Sequence, residues 1–99
     1  MKVIFTEEAR ANMLGIGDYI ARDNPLRALT FIDELEERCL NLAHHPHAYP
    51  VLARRPLSGI RRLVHGHYNV FYSVAGVEVH ILHVMHGAMD YEKILFPED

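Results

Sequence analysis

Residues 19–35, YIARDNPLRALTFIDEL, contain the signal that decides the fold. Asn24 is a favoured helix N-cap, and Pro25 suits the first helical position because the amide hydrogen that proline lacks would have no partner there. Apolar residues recur at intervals of three and four on both sides of this break: Ala9, Met13, Ile16 and Ile20, then Ala28, Ile32, Leu35, Cys39 and Leu42. The pattern predicts one helix from Thr6 to about Arg22 and a second to about Ala43, paired as an antiparallel hairpin.

The remainder of the chain has the composition of strands and turns. Residues 2–5 predict a first strand, and residues 46–59 form a loop rich in proline. Residues 60–65, 68–75 and 77–85 are rich in Val, Ile, Tyr and Phe and are separated by glycine-containing turns, which predicts antiparallel strands. Tyr68, Val70, Tyr72 and Val74 alternate, so we expect one face of the sheet to lie against the helices. Residues 89–96 are expected to form a short helix or an extended tail.

The predicted fold class is therefore α+β. Its order is β-α-α-β-β-β, with an antiparallel twisted sheet packed on an N-terminal helical hairpin. A chain of 99 residues suits one domain over residues 1–99.

Composition narrows the classes of function. The single cysteine, Cys39, excludes an intramolecular disulfide and a cysteine-based zinc site, and it falls in the apolar stripe of the second helix. The histidines lack the helical spacing of a zinc site, so neither a metal nor another cofactor is predicted. The chain has no apolar run long enough to span a membrane, and MKVIFTEEAR lacks a signal-peptide core, so we expect a cytoplasmic protein.

Charge is unevenly distributed along the chain. The formal net charge is −3, which argues against a broad DNA-binding surface. Residues 44–77 nevertheless contain four arginines, five histidines and no acid. This stretch is expected to meet an acidic protein partner or a local phosphate rather than a long stretch of DNA.

Four strings, in order, resemble the ParE/RelE toxin superfamily of type II toxin–antitoxin systems. They are FTEEA, YIARDNPLRALTFIDEL, GIRRLVHGHYNVFY and ILHVMHGAMDYEKIL, and together they span nearly the whole chain. The last string is similar to the ending of the ParE branch. The resemblance implies a bacterial cytoplasmic toxin that stops growth by inhibiting DNA gyrase and is not itself an enzyme. It also implies a role in plasmid stabilisation, a hetero-oligomer with a ParD-like antitoxin, and contact with DNA only through that antitoxin.

Two alternatives stay open beside gyrase inhibition. A RelE-like toxin would cut mRNA in the ribosome, and the residues available for acid–base chemistry and charge stabilisation would be Arg62, His65 and His83. Asn69 and Met89 stand where that branch is expected to carry further cations. His83 and Met89 also replace arginines that are usual in ParE-like endings, which favours a third alternative. In that alternative the chain is a decayed toxin that binds its antitoxin and acts only as a co-repressor.

The candidate contacts for an antitoxin or a target lie in and after the arginine-rich stretch. They are Arg54, Arg55, Arg61, Arg62, His86, Asp90 and Tyr91. Arg54 and Arg55 are expected in a solvated loop, while Arg61 and Arg62 should point to opposite faces of a strand, one of them toward an acid such as Asp90. His83 and His86 are expected to bond the chain end. An acidic or amphipathic antitoxin tail would suit residues 54–67.

Overall fold

The computed structural model describes residues 1–98. Its elements follow the predicted order: β1 Lys2–Phe5, α1 Glu7–Ala21, α2 Pro25–Asn41, β2 Arg61–His65, β3 Tyr68–Ala75, β4 Glu78–His86 and α3 Tyr91–Leu95. The α+β class and the order β-α-α-β-β-β are confirmed. The end of the chain, left open between helix and tail, forms the short helix α3.

The helical hairpin begins where the capping residues predict. The Thr6 hydroxyl accepts from the Ala9 amide at 3.1 Å, and the Asn24 side chain accepts from the Arg27 amide at 3.0 Å. A Cβ added to Gly17 would lie 3.5 Å from Ile32, so this glycine lies at the contact between the helices. Each cap satisfies an amide that the first helical turn leaves without a partner.

The four strands form one sheet in the order β1-β4-β3-β2. Strands β2, β3 and β4 make the predicted antiparallel meander, and Gly66 and Gly76 occupy its two turns with φ of 59° and 61°. Strand β1 pairs with β4 in parallel, so the complete sheet is mixed rather than wholly antiparallel. Parallel neighbours need a long connection, and the hairpin and meander between β1 and β4 provide it.

The main core lies between the hairpin and one face of the sheet, which we call the inner face. Val70 and Tyr72 are fully buried there, as the alternation predicts, and the Tyr72 hydroxyl donates to the Pro46 carbonyl at 3.0 Å. Cys39 is fully buried in the same cluster, and burial raises the pKa of its thiol to about 12. Cys39 is therefore a core residue.

The opposite face of the sheet, the outer face, is covered in part by the end of the chain. Phe71 and Met85 are buried on it together with Leu52 from the loop. Partly buried apolar side chains complete this second cluster: Ile60, Tyr91, Leu95 and Phe96. The prediction of a single covered face was thus incomplete. None of the helices within residues 1–98 combines the length and apolarity needed to cross a membrane.

Candidate functional site

The outer face aligns two candidate functional residues, Arg62 and His83, in one row across the sheet with Phe71 between them. Arg62 pairs with Phe71 in the β2–β3 register, and Phe71 pairs with His83 in the β3–β4 register. Arg62 is exposed and Phe71 is fully buried beneath the C-terminal segment. In this row the guanidinium of Arg62 and the imidazole of His83 therefore lie on either side of the buried Phe71 ring.

Helix α3 brings Tyr91 into this row. The Tyr91 ring centre lies 5.1 Å from that of Phe71, and the Arg62 guanidinium lies 5.7 Å from the Tyr91 ring centre. A cation within about 6 Å of an aromatic ring is attracted by its quadrupole. Arg62 and Tyr91, two of the candidate contact residues, thus lie side by side on the outer face.

Arg55 lies in the exposed loop as expected, but its side chain is anchored there and is not simply solvated. Its Nη2 lies 3.1 Å from Glu92 Oε2, and its guanidinium lies 4.3 Å from the Phe96 ring centre. The C-terminal segment folds back over the loop and supplies both partners. Glu92 and Phe96 were missed from the sequence, where only the order Tyr91-Glu92-x-x-x-Phe96 hints at a docked helix. Arg54, the neighbouring arginine, is exposed.

Arg61 and Asp90 do not pair, which corrects a second expectation. Arg61 registers with Tyr72 on the inner side of β2, and its Nη1 donates to the Tyr49 carbonyl at 2.6 Å. Asp90 instead caps α3 by accepting from the Lys93 amide at 3.5 Å. The two groups are held apart because Arg61 lies beside the loop and Asp90 begins the segment that covers the outer face.

The histidines are distributed over both faces of the sheet. His65 lies toward the helices, with its ring 5.2 Å from that of Phe31. His86 is exposed at the end of β4, where its Nδ1 accepts from the Ala88 amide two residues on, at 3.1 Å, which is a contact within the turn rather than with the chain end. His83 lies mid-strand, and its side chain makes none of the hydrogen bonds found within residues 1–98, so the expected bond to the chain end is not seen there. Within the same residues no three His, Cys, Asp or Glu side chains are arranged to hold a metal ion.

The residues considered for RNA cleavage do not converge. His65 lies on the inner face and Arg62 and His83 on the outer, so the sheet separates them. The backbones of Arg62 and His83 are two strand spacings apart, roughly 10 Å, and the buried Phe71 lies between the two residues. Groups that relay a proton lie about 2.6–3.2 Å from the atom they serve. Arg62, His65 and His83 therefore form no acid–base pair in this structure.

A second surface, which we call the hairpin groove, lies between the two long helices. It has a volume of about 640 Å³, and Leu14 and Leu29 on its rim are 71% and 67% exposed. The remaining lining residues are mostly apolar, with acids near the rim: Phe5, Arg10, Met13, Gly17, Asp18, Ala21, Pro25, Ala28, Ile32, Asp33 and Glu36. The groove was missed from the sequence. The sequence signal for this groove was Leu14 and Leu29, which lie outside the regular apolar stripes of the two helices.

Solved toxin–antitoxin structures are similar in fold to this chain. For a chromosomal ParDE system from P. aeruginosa the TM-score is 0.75 at 22% identity, over 87% of this chain and 95% of that chain. For the RelBE2 toxin–antitoxin complex from Mycobacterium tuberculosis the TM-score is 0.63 at 24% identity, over 86% of this chain and 88% of that chain. No curated protein sequence matches the chain significantly.

The sequence itself matches a family profile. The profile is described as the ParE toxin of type II toxin–antitoxin system, parDE, and the match extends over residues 3–91, from the first strand to the start of α3. It therefore includes the hairpin, the whole sheet and the turn after β4. By this match the chain belongs to the ParE toxin family of type II toxin–antitoxin systems.

Proposed function

We propose that this chain stops growth by inhibiting DNA gyrase and is neutralised by a ParD-like antitoxin. The observation that carries the proposal is the family match over residues 3–91. The arrangement of the sheet agrees with it, since a gyrase inhibitor needs a binding surface and no acid–base pair. The exposed Arg62 and Arg54 provide cations for such a surface.

Ribosome-dependent mRNA cleavage is the second candidate, because the fold is also similar to that of a RelBE2 complex. The positions of the candidate groups weigh against it. Arg62 and His65 are on opposite faces, and Phe71 separates Arg62 from His83. Stabilising the charged intermediate of RNA cleavage requires cations aimed at one point.

The antitoxin occupies the hairpin groove in this proposal. An amphipathic helix binds by laying its apolar side into a groove of this kind. Asp18, Asp33 and Glu36 lie along the groove, whereas its one arginine, Arg10, lies 6.0 Å from the Phe5 ring centre. The acids favour basic side chains flanking the apolar stripe of the antitoxin. An acidic antitoxin tail, expected from the sequence, would suit only the arginines of residues 54–62.

Expression in bacterial cells separates the candidate functions. The chain would be produced alone and together with the protein encoded beside it, while DNA integrity and translation are followed in the same culture. Gyrase inhibition predicts a DNA-damage response that precedes the fall in translation and is suppressed by the neighbouring protein. New mRNA ends in primer extension, with intact DNA, would overturn the proposal in favour of cleavage. Normal growth would overturn it in favour of a co-repressor that has lost toxicity through His83 and Met89.

A further inference from the structure

Arg38, near the end of α2, joins three parts of the molecule and is not itself part of either proposed binding surface. Its Nη1 donates to the Val64 carbonyl at 2.9 Å, and its Nη2 donates to the Tyr49 hydroxyl at 3.0 Å. The same Nη1 lies 3.3 Å from His65 Nδ1. One guanidinium therefore holds α2, the edge strand β2 and the loop of residues 46–59 together.

The geometry determines which nitrogen of His65 carries the proton. A guanidinium has only donors, so Nδ1 must accept and the hydrogen must lie on Nε2. Nε2 faces Glu34 Oε1 at 3.8 Å, and the side chain is only 15% exposed. The contacts with Arg38 thus require the neutral imidazole.

Protonation of Nδ1 would place two N–H groups against each other. The charged imidazole would also stand beside a permanent cation in a place where water has little access. Glu34 offers limited compensation, because its Oε2 is already bonded to Arg27 Nη1 at 2.8 Å. Arg38 would have to leave, and the Val64 carbonyl and the Tyr49 hydroxyl would lose their donor.

We propose that His65 and Arg38 form a proton-sensitive latch, in which neutral His65 keeps Arg38 bonded to β2 and to the loop, and protonated His65 releases it. The charged or titratable groups facing the imidazole come from α2, β3, β4 and the loop of residues 46–59. They are Arg27, Glu34 and Arg38 of α2, Tyr68 of β3, with His86 of β4 edge-on beyond it, and Tyr49 of the loop. Of these, only Glu34 is a carboxylate that carries negative charge near neutral pH, so the surroundings favour the neutral imidazole of His65.

The direction of the pH dependence follows from the same contacts. Burial, and then the charge of Arg38, lower the pKa of His65 below its usual value. The unfolded chain therefore binds this proton more readily than the folded chain does. The stabilisation is complete above the ordinary histidine pKa of about 6.5 and is lost as the pH falls below it.

The test compares thermal unfolding of the whole chain at pH 7.5 and pH 5.5. In His65→Asn the Asn Oδ1 can still accept from Arg38 but does not titrate, so the wild type should lose about 4 °C more than this variant on acidification. Equal losses would overturn the latch. His80→Asn is the control, because His80 lies away from Arg38 and pairs with Glu78 at 3.0 Å. Protonation of His80 would strengthen that pair, so this variant should lose at least as much as the wild type on acidification.

Nuclear magnetic resonance on the wild type gives a readout that does not depend on how the variants fold. The His65 ring should show the Nε2–H form at pH 7.5. The amides of Ala48, Leu52 and Arg62, which make hydrogen bonds within the loop or between the loop and β2, should exchange faster at pH 5.5 after correction for intrinsic rates. A His65 ring that titrates at the ordinary histidine pKa of about 6.5, or amide protection that does not change with pH, would overturn the proposal.

Discussion

Arg62 and His65 belong to the same five-residue strand yet lie on opposite faces of the sheet. Arg62 lies on the outer face beside Tyr91, and His65 lies on the inner face against Phe31. Their separation by three residues imposes this, since successive side chains of a strand alternate between faces. The two residues must therefore serve different purposes.

Arg62 is expected to contact gyrase. Arg62→Gln removes an exposed cation, so inhibition of supercoiling should weaken by about tenfold while the thermal midpoint stays nearly unchanged. Arg22→Gln removes an exposed cation at the end of α1 and should leave inhibition intact. An Arg62→Gln protein that inhibits gyrase as strongly as the wild type would remove the outer face from the proposed target surface.

The hairpin groove is expected to bind the antitoxin. Leu29→Lys places a cation where basic side chains should arrive and should weaken the complex with the antitoxin by at least about tenfold, as measured by calorimetry. Leu26→Lys is the matched control, because Leu26 is 77% exposed on the same helix and lies outside the groove lining. Gyrase inhibition by the Leu29→Lys protein alone should be retained. Equal affinities for the two variants would place the antitoxin elsewhere.

Phe71 is expected to hold the outer cluster together. Phe71→Ala empties a fully buried site and should lower the free energy of unfolding by about 3–5 kcal/mol, measured by denaturant titration. The loss should be accompanied by faster amide exchange in α3, because Tyr91 packs on the Phe71 ring. Leu57→Ala alters a fully exposed side chain and should change stability by less than about 0.5 kcal/mol. A mild effect of Phe71→Ala would mean that α3 does not depend on this cluster.

Cys39 is expected to be unreactive in the folded chain. Burial raises the pKa of its thiol to about 12, and the thiolate is the reactive form. A thiol reagent at pH 8 should label little of the native protein within an hour and label one group per chain at once in guanidinium chloride. Rapid labelling without denaturant would show that the helix–sheet core opens easily.

The hairpin and the meander were predictable because local signals determine them. Asn24-Pro25 favours the start of a helix regardless of the rest of the chain. The alternation of apolar residues in β3 places Val70 and Tyr72 on one face of the sheet. The parallel pairing of β1 with β4 has no such signal, since it joins strands 76 residues apart in the Lys2–Glu78 register. The sequence pattern predicts each strand but not the strand with which it pairs.

The outer face was less predictable for a related reason. Phe71 interrupts the alternation of β3 and was not recognised as the centre of a second cluster. Its partners Leu52 and Phe96 lie far from it in the chain. The ion pair of Arg55 with Glu92 likewise depends on how the chain end folds back. Contacts of this kind form only through tertiary packing. The residue types of a loop do not predict them.

An assay with purified gyrase can decide whether this ParE family member inhibits DNA gyrase, as proposed. Relaxed plasmid would be incubated with gyrase, ATP and increasing amounts of the chain, with and without the antitoxin. We expect supercoiling to fall, linear plasmid to accumulate after protein denaturation, and both effects to disappear when the antitoxin is added first. Unchanged supercoiling at a large molar excess of the folded chain would contradict the claim.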